Sequence, residues 1–290
     1  MPGGVYYLYV AGDNDTNIYL YMGTDKINFT PLGIVLRRGS SGAWDDRCVA
    51  NTFVWIENGI WYMLYEAMGT LWQIGLATSP DGKTWTKYEG NPVLTVPVYG
   101  CGNPELARVG SKVIKHDGKY YMYYHSQAKV WRAYSTNLKT WTKEGIVEGI
   151  IEIPPTFTHG DHALAQLKNK TYLWWSPSNQ VNRSWINVVI ENRTYSEIIS
   201  LPPSGYGLFD DGFKEDILSS VFPAYGEPTV IADESAGLID LWFSGGAGKT
   251  MYYVNSKNGL SHTNPVATNL PINVFRPHIL KLEEAIVQIP

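Results

Sequence analysis

Residues 111–141 read SKVIKHDGKYYMYYHSQAKVWRAYSTNLKTW. An apolar run meets Asp117-Gly118, a pair suited to a tight two-residue hairpin turn, and returns through the aromatic run Tyr120–Tyr124. A third run ends at Ser135, and Trp141 closes the segment. The pattern predicts one antiparallel meander. Such a unit cannot bury both faces alone, so it requires copies beside it.

The copies are present. Upstream, residues 51–67 read NTFVWIENGIWYMLYEA, and QIGLATSPDGKTW then ends at Trp85, which repeats the order of turn, aromatic strand, serine and tryptophan. Gly59 and Gly118 stand 59 residues apart, and Trp85 and Trp141 stand 56 apart. A third unit follows Asp161, turning at Asn169-Lys170 into Tyr172–Trp175, with an alternating strand near Ile186–Ile190. A fourth begins at Glu227 and returns through Leu241–Ser244 and Met251–Ser256. The fifth is split between the termini: Gly4–Ala11 matches the strand after the turn, and Arg276–Leu282 the strand before it. The expectation is an all-β, five-bladed β-propeller, closed by pairing the N- and C-terminal strands in one blade, with residues 1–290 as one domain.

Composition fits. Aromatics make up 13% of the chain, with 20 Tyr and 11 Trp, against 17% charged residues, which supplies both sheet packing and sugar-stacking surfaces. A net charge of −4 argues against nucleic acid or an anionic membrane as partner. The first twelve residues lack a basic stretch followed by an apolar core, and no apolar run approaches spanning length, so the compartment stays open between secreted and cytoplasmic. Cys48 and Cys101 precede the first strands of neighbouring units, either as two buried thiols or as a pair. No HExxH, CxxC, P-loop or GxSxG pattern occurs, which removes the usual metalloprotease, zinc, nucleotide and serine-hydrolase readings.

Chemistry is expected where the innermost strands start, because those ends converge on a propeller's axis. Counting back from each aromatic strand gives Asn51, Gly110, Asp161, Glu227 and Arg276. For any single acid there, a turn or capping role is the bland alternative. Recurrence at equivalent places in successive units is harder to assign to turns.

Five units with Asp-Gly-type turns before YYMYY-like strands resemble the five-bladed propeller glycosidases, especially family 43 glycoside hydrolases and their arabinanase, xylosidase and fructosidase relatives. The resemblance spans nearly the whole chain as a repeat pattern, on short motifs. It implies a general base in the first unit, an Asp two units later that tunes pKa and orients substrate, and a Glu one unit further as general acid. Asp161 and Glu227 match the last two by position and order: Asp46 precedes Asp161 by 115 residues, and Asp161 precedes Glu227 by 66. The first position departs from the pattern, because Asn51-Thr52 stands where relatives have Asp-Pro. An amide cannot serve as base. Either Asp46 or Asp45 folds back into the pocket, or the base is lost; Glu105 is a further acid near a strand start.

Glycoside hydrolysis needs one protonated carboxyl for the leaving oxygen and one carboxylate for water, about 6.5–9.5 Å apart for inversion and about 5–5.5 Å for a covalent retaining route. Burial beside a second carboxylate such as Asp161 would hold Glu227 protonated. Trp44, beside the acidic pair, is the candidate sugar platform; Asp45, Glu105, His162 and Arg276 are candidate substrate contacts, Arg276 equally a structural bridge. The resemblance also implies that His278 helps hold a structural calcium on the axis, though no cofactor is required. The expected activity is an inverting glycosidase acting on arabinofuranosyl- or xylosyl-type oligo- or polysaccharides. The alternatives are a carbohydrate-binding propeller without catalysis, which Asn51 favours, and a retaining fructosidase-like enzyme.

Overall fold

The computed structural model describes residues 4–12, 16–95, 108–126, 129–146, 157–158, 162–175, 178–179, 183–184, 187–200, 225–245, 250–271 and 275–282. The repeat folds into radially arranged antiparallel sheets, a β-propeller arrangement. The C-terminal strand Phe275–Lys281 pairs with Tyr6–Gly12, and Asn17–Gly23 and Phe29–Arg37 complete that sheet. The next two sheets are Cys48–Glu57, Ile60–Met68, Trp72–Ser79 and Thr86–Lys87, then Arg108–His116, Lys119–Ser126, Lys129–Ser135 and Thr142–Ile146. The last is Tyr225–Asp233, Leu238–Gly245, Thr250–Ser256 and Val266–Ala267.

These four sheets are complete four-stranded blades, where the sequence predicts five. The third unit differs: among the described residues His162–Leu167, Lys170–Trp175 and Asn187–Glu191 form a three-stranded sheet. The chain that would continue outward instead enters the short helix Tyr195–Ile199. Thr194 caps it, accepting from the Glu197 amide, while Glu197 reaches back to the Thr194 amide, so two otherwise orphaned donors are satisfied. A small separate sheet joins Phe157–Thr158, Ser178–Asn179 and Arg183–Ser184. The third unit's turn also falls one residue earlier than expected. Leu167 pairs with Lys170, and Lys168 takes φ 56 with its amide donating to Glu234 of the following unit at 2.7 Å.

The other turns follow their sequences. Asn58-Gly59 and Asp117-Gly118 have positive φ at both residues, the geometry that two-residue hairpins require. A second device recurs at the end of the third strand. Ser79 accepts from the Gly82 amide, Asp81 accepts from the Lys83 and Thr84 amides, and the Trp85 indole donates to Gly82 O at 3.0 Å. Ser135, Asn137, Leu138 and Trp141 reproduce it bond for bond. Leu138 does so at φ 65, a strain of about 1–2 kcal/mol for a residue with a Cβ. Its side chain is buried between two sheets, and burial of that size contributes about 1.5–3 kcal/mol, which explains why leucine is tolerated.

Aromatic and aliphatic clusters lie between neighbouring sheets. Leu64, Ile74 and Met122 join the second and third, Tyr123, Leu164 and Leu173 the third and fourth, and Trp174, Leu241 and Phe243 the fourth and last. Leu8, Trp242 and Met251 join the last sheet to the first, and Tyr9, Val54 and Met63 the first to the second. One cavity of about 620 Å³ is lined by residues of five strands, including Val54, Ile114, Leu164, Val230 and Ile279, which marks those strands as innermost. No helix among the described residues is long and apolar enough to cross a membrane.

His262 occupies the place of Trp85 and Trp141 in the last unit's copy of the turn, after Asn258 accepts from the Leu260 and Ser261 amides. Its ring nitrogens are buried, and burial lowers its pKa to about 4 against a smaller opposing effect of the Leu260 backbone. A histidine held neutral in the fold but titrating near 6.5 when unfolded gives stability that is complete above pH 6.5 and declines as pH falls toward 4. The loss reaches about 3 kcal/mol at pH 4. His262→Trp should abolish that part of the acid sensitivity; denaturant midpoints at pH 7 and pH 4.5 that fall equally in both proteins would contradict it.

Candidate active site

Four of the five innermost strands share an irregularity at their starts. In Cys48–Glu57 the register shifts between Ala50 and Thr52, leaving Asn51 as an extra residue at φ 35. In Arg108–His116 the shift lies between Val109 and Val113, bracketing Gly110. In Tyr225–Asp233 it lies between Gly226 and Thr229, at Glu227-Pro228. The closing pair breaks register between Phe275 and His278, at Arg276-Pro277. A bulge re-aims a side chain out of the alternating pattern, and its unpaired position accommodates proline, which has no amide hydrogen to donate. The four places marked in the sequence as strand starts are thus the four bulges. The fifth, Asp161, adjoins the strand His162–Leu167 and lies outside the described residues, as do Glu105, Cys101 and the side chains of His162, Glu227 and Arg276.

The loop carrying the predicted base is described fully. Its turns are closed by the Gly39 amide on Asp45 O and the Arg47 amide on Met68 O, both near 3 Å. Asp45 is 2% exposed, and its carboxylate receives Lys87 Nζ at 2.5 Å. Lys87 lies on the outermost strand of its sheet, so the pair ties the loop to that strand. It is an ion pair packed over Tyr65, whose phenol is raised by burial first and by the Asp45 charge second. The Asp46 carboxylate accepts from the Gly42 amide at 2.7 Å, and Asp46 O accepts from Arg38. Trp44 is half-buried and packs on Tyr65, ring centres 5.9 Å apart. Gly39 is required here: a Cβ would stand 2.2 Å from Asp45 Oδ1.

A carboxylate that sequence reasoning passed over lies behind Asn51. Glu66, on the second strand, is 0% exposed and receives Asn51 Nδ2 at 2.9 Å. The signal was available. Aligning Tyr62-Met63 with Tyr121-Met122 sets Glu66 level with His125, the polar residue that ends the next unit's aromatic strand.

His278 is buried, its ring centre 4.9 Å from that of Phe53 in an edge-on arrangement, and Nε2 donates to Val54 O at 3.0 Å, which fixes that nitrogen as the protonated one. Among the described residues no group of three or more His, Cys, Asp or Glu is placed to hold a metal ion.

No protein-family model matches the chain, and no curated protein matches its sequence. Solved structures do. A thermostable family-43 glycoside hydrolase superposes with a TM-score of 0.62 over 93% of this chain and 92% of its own, at 15% identity. Bombyx mori GH32 β-fructofuranosidase gives 0.61 over 92% of this chain and 60% of its own, at 16% identity. Penicillium chrysogenum α-L-arabinanase, complexed with arabinobiose, gives 0.56 over 91% and 76%, at 13% identity. The fold is that of the glycosidase propellers. At these identities the likeness is one of fold.

The Asp45–Lys87 pair should matter to this loop as structure. Lys87→Met strands a buried carboxylate, at a cost of about 3–5 kcal/mol. Denaturant unfolding should show that loss, together with faster proteolysis within residues 38–47; an unchanged midpoint would show that Lys87 is dispensable.

Proposed function

We propose that the chain is a glycoside hydrolase acting on arabinofuranosyl- or xylosyl-type glycans by inversion. The observation that carries this is the coincidence of bulges with the unit-equivalent residues Asn51, Glu227 and Arg276 at one end of the axis, in a fold whose solved neighbours include family-43 and GH32 enzymes. On this reading the three-stranded sheet of residues 162–191 serves as the fifth blade, with Asp161 immediately before its first strand in the sequence. Glu227 protonates the leaving oxygen, Asp161 keeps that carboxyl protonated by its own charge, and Asp46 activates water. Glu105, His162 and Arg276 contact the sugar. The chemistry needs no metal, and a calcium ion near His278 would serve structure alone.

A second reading, a carbohydrate-binding propeller without turnover, is favoured by the amide at Asn51 and by the engagement of Asp46 in its own loop. Aryl glycosides separate the two. Glu227→Gln should lower kcat by about 10²–10⁴ for a poor phenolate leaving group, and far less for 4-nitrophenolate, which departs without a proton. Equal activity of wild type and variant removes Glu227 as acid; binding of arabinan oligosaccharides with no turnover by wild type establishes the binding module.

A further inference from the structure

The first unit lacks an acid at its strand start, yet it has one directly behind. Asn51 is displaced from the ladder by the bulge and held at φ 35, a conformation that only a few per cent of non-glycine residues adopt and that asparagine tolerates better than most. Its amide donates to Glu66 Oε2. Glu66 has no solvent exposure and comes from the strand paired with the bulged one, opposite Ala50. A carboxylate is costly to bury and persists only where hydrogen bonds hold it. A hydrogen bond to a charged acceptor is about twice as strong as a neutral one and fixes the donor's rotamer. Resting on the glycosidase reading above, we propose that Glu66 is a positioning residue. It clamps the Asn51 carboxamide at the bulge so that Asn51, in the place of the expected aspartate, binds a sugar hydroxyl of the substrate.

This role predicts a particular pattern. An amide that binds a hydroxyl equally in ground and transition states changes KM and leaves kcat nearly intact. Asn51→Ala should raise KM for 4-nitrophenyl α-L-arabinofuranoside or β-D-xyloside about tenfold to a hundredfold. Glu66→Ala should raise it by a similar factor, and the double variant by no more than the larger single effect, because both remove one interaction. Glu66→Gln, which retains an acceptor oxygen for Asn51, should recover most of the affinity. A residue that only supports the fold would give additive losses, a lowered melting temperature and no selective rescue by glutamine. Folded Glu66→Ala with wild-type KM, or KM effects of Asn51→Ala and Glu66→Ala that multiply in the double variant, overturns the inference. If wild type neither turns over these glycosides nor binds arabinan oligosaccharides by calorimetry, the hydrolase reading falls and takes this one with it. Turnover by wild type with unaffected variants removes the Glu66 assignment alone.

Discussion

The architecture depends on the pairing of Phe275–Lys281 with Tyr6–Gly12. Each sheet is apolar on both faces, so every one needs a neighbour on each side, and a row of such sheets ends in two unburied faces unless it closes. Closure joins residues about 270 positions apart. Loop entropy grows only logarithmically, so this costs about 2 kcal/mol more than closing a 30-residue hairpin. The ladder is reinforced on the next face. Asp240, 2% exposed, accepts from Lys26 and from the Tyr253 hydroxyl, the Trp242 indole donates to Lys26 O, and Asn269 exchanges hydrogen bonds with Phe29. A buried carboxylate that holds Tyr253 of its own sheet and Lys26 from the turn of the first sheet ties the last sheet to the first.

The closed arrangement places the four described strand starts at the same end of their sheets but gives no reason for their side chains to leave the sheet faces. A regular strand alternates its side chains between the two faces of its sheet, toward the neighbouring blades. The bulges break that alternation at one level, which frees one or two residues per inner strand from packing duty. The price is an interrupted ladder, tolerable because the hairpin end of each strand continues in register for five or more pairs in the second and last sheets. The same strands therefore serve stability at one end and chemistry at the other.

That division explains what could be read from sequence. Turns such as Asn58-Gly59 and Asp117-Gly118, the recurrent Trp85 and Trp141, and the terminal strand pairing are carried by local chemistry or by repetition, and both are visible in one chain. Four of the five strand starts were legible for the same reason, since counting back from those aromatic strands lands on the bulges. Departures from the repeat were not. The capping box of Thr194 and Glu197 diverts the third unit into a helix, and a single-turn helix has too short a pattern to announce itself. Glu66 sits in an aromatic run where an isolated acid reads as solvent-facing. Asp45 was expected near substrate because it adjoins Trp44 and Asp46, but its direction depends on Lys87, 42 residues away, which no local pattern links to it.

The substitution of an amide for an acid at Asn51 has an electrostatic logic on the proposed reading. The proposed mechanism already calls on three carboxyl groups, Asp46, Asp161 and Glu227. A fourth at the first strand start would repel a charged neighbour about 4 Å away by about 4 kcal/mol at an effective dielectric of 20, and by about half that at 8 Å. Glu66 lies one strand back from the bulge, and the Asn51 amide carries its hydrogen-bonding influence forward. On that mechanism Asp161 is left as the charge that holds Glu227 protonated, and Asp46 as the base. The arrangement also separates two duties that a single aspartate would combine: Asn51 orients a hydroxyl without titrating, and the pH dependence of turnover is left to residues that reach the axis themselves.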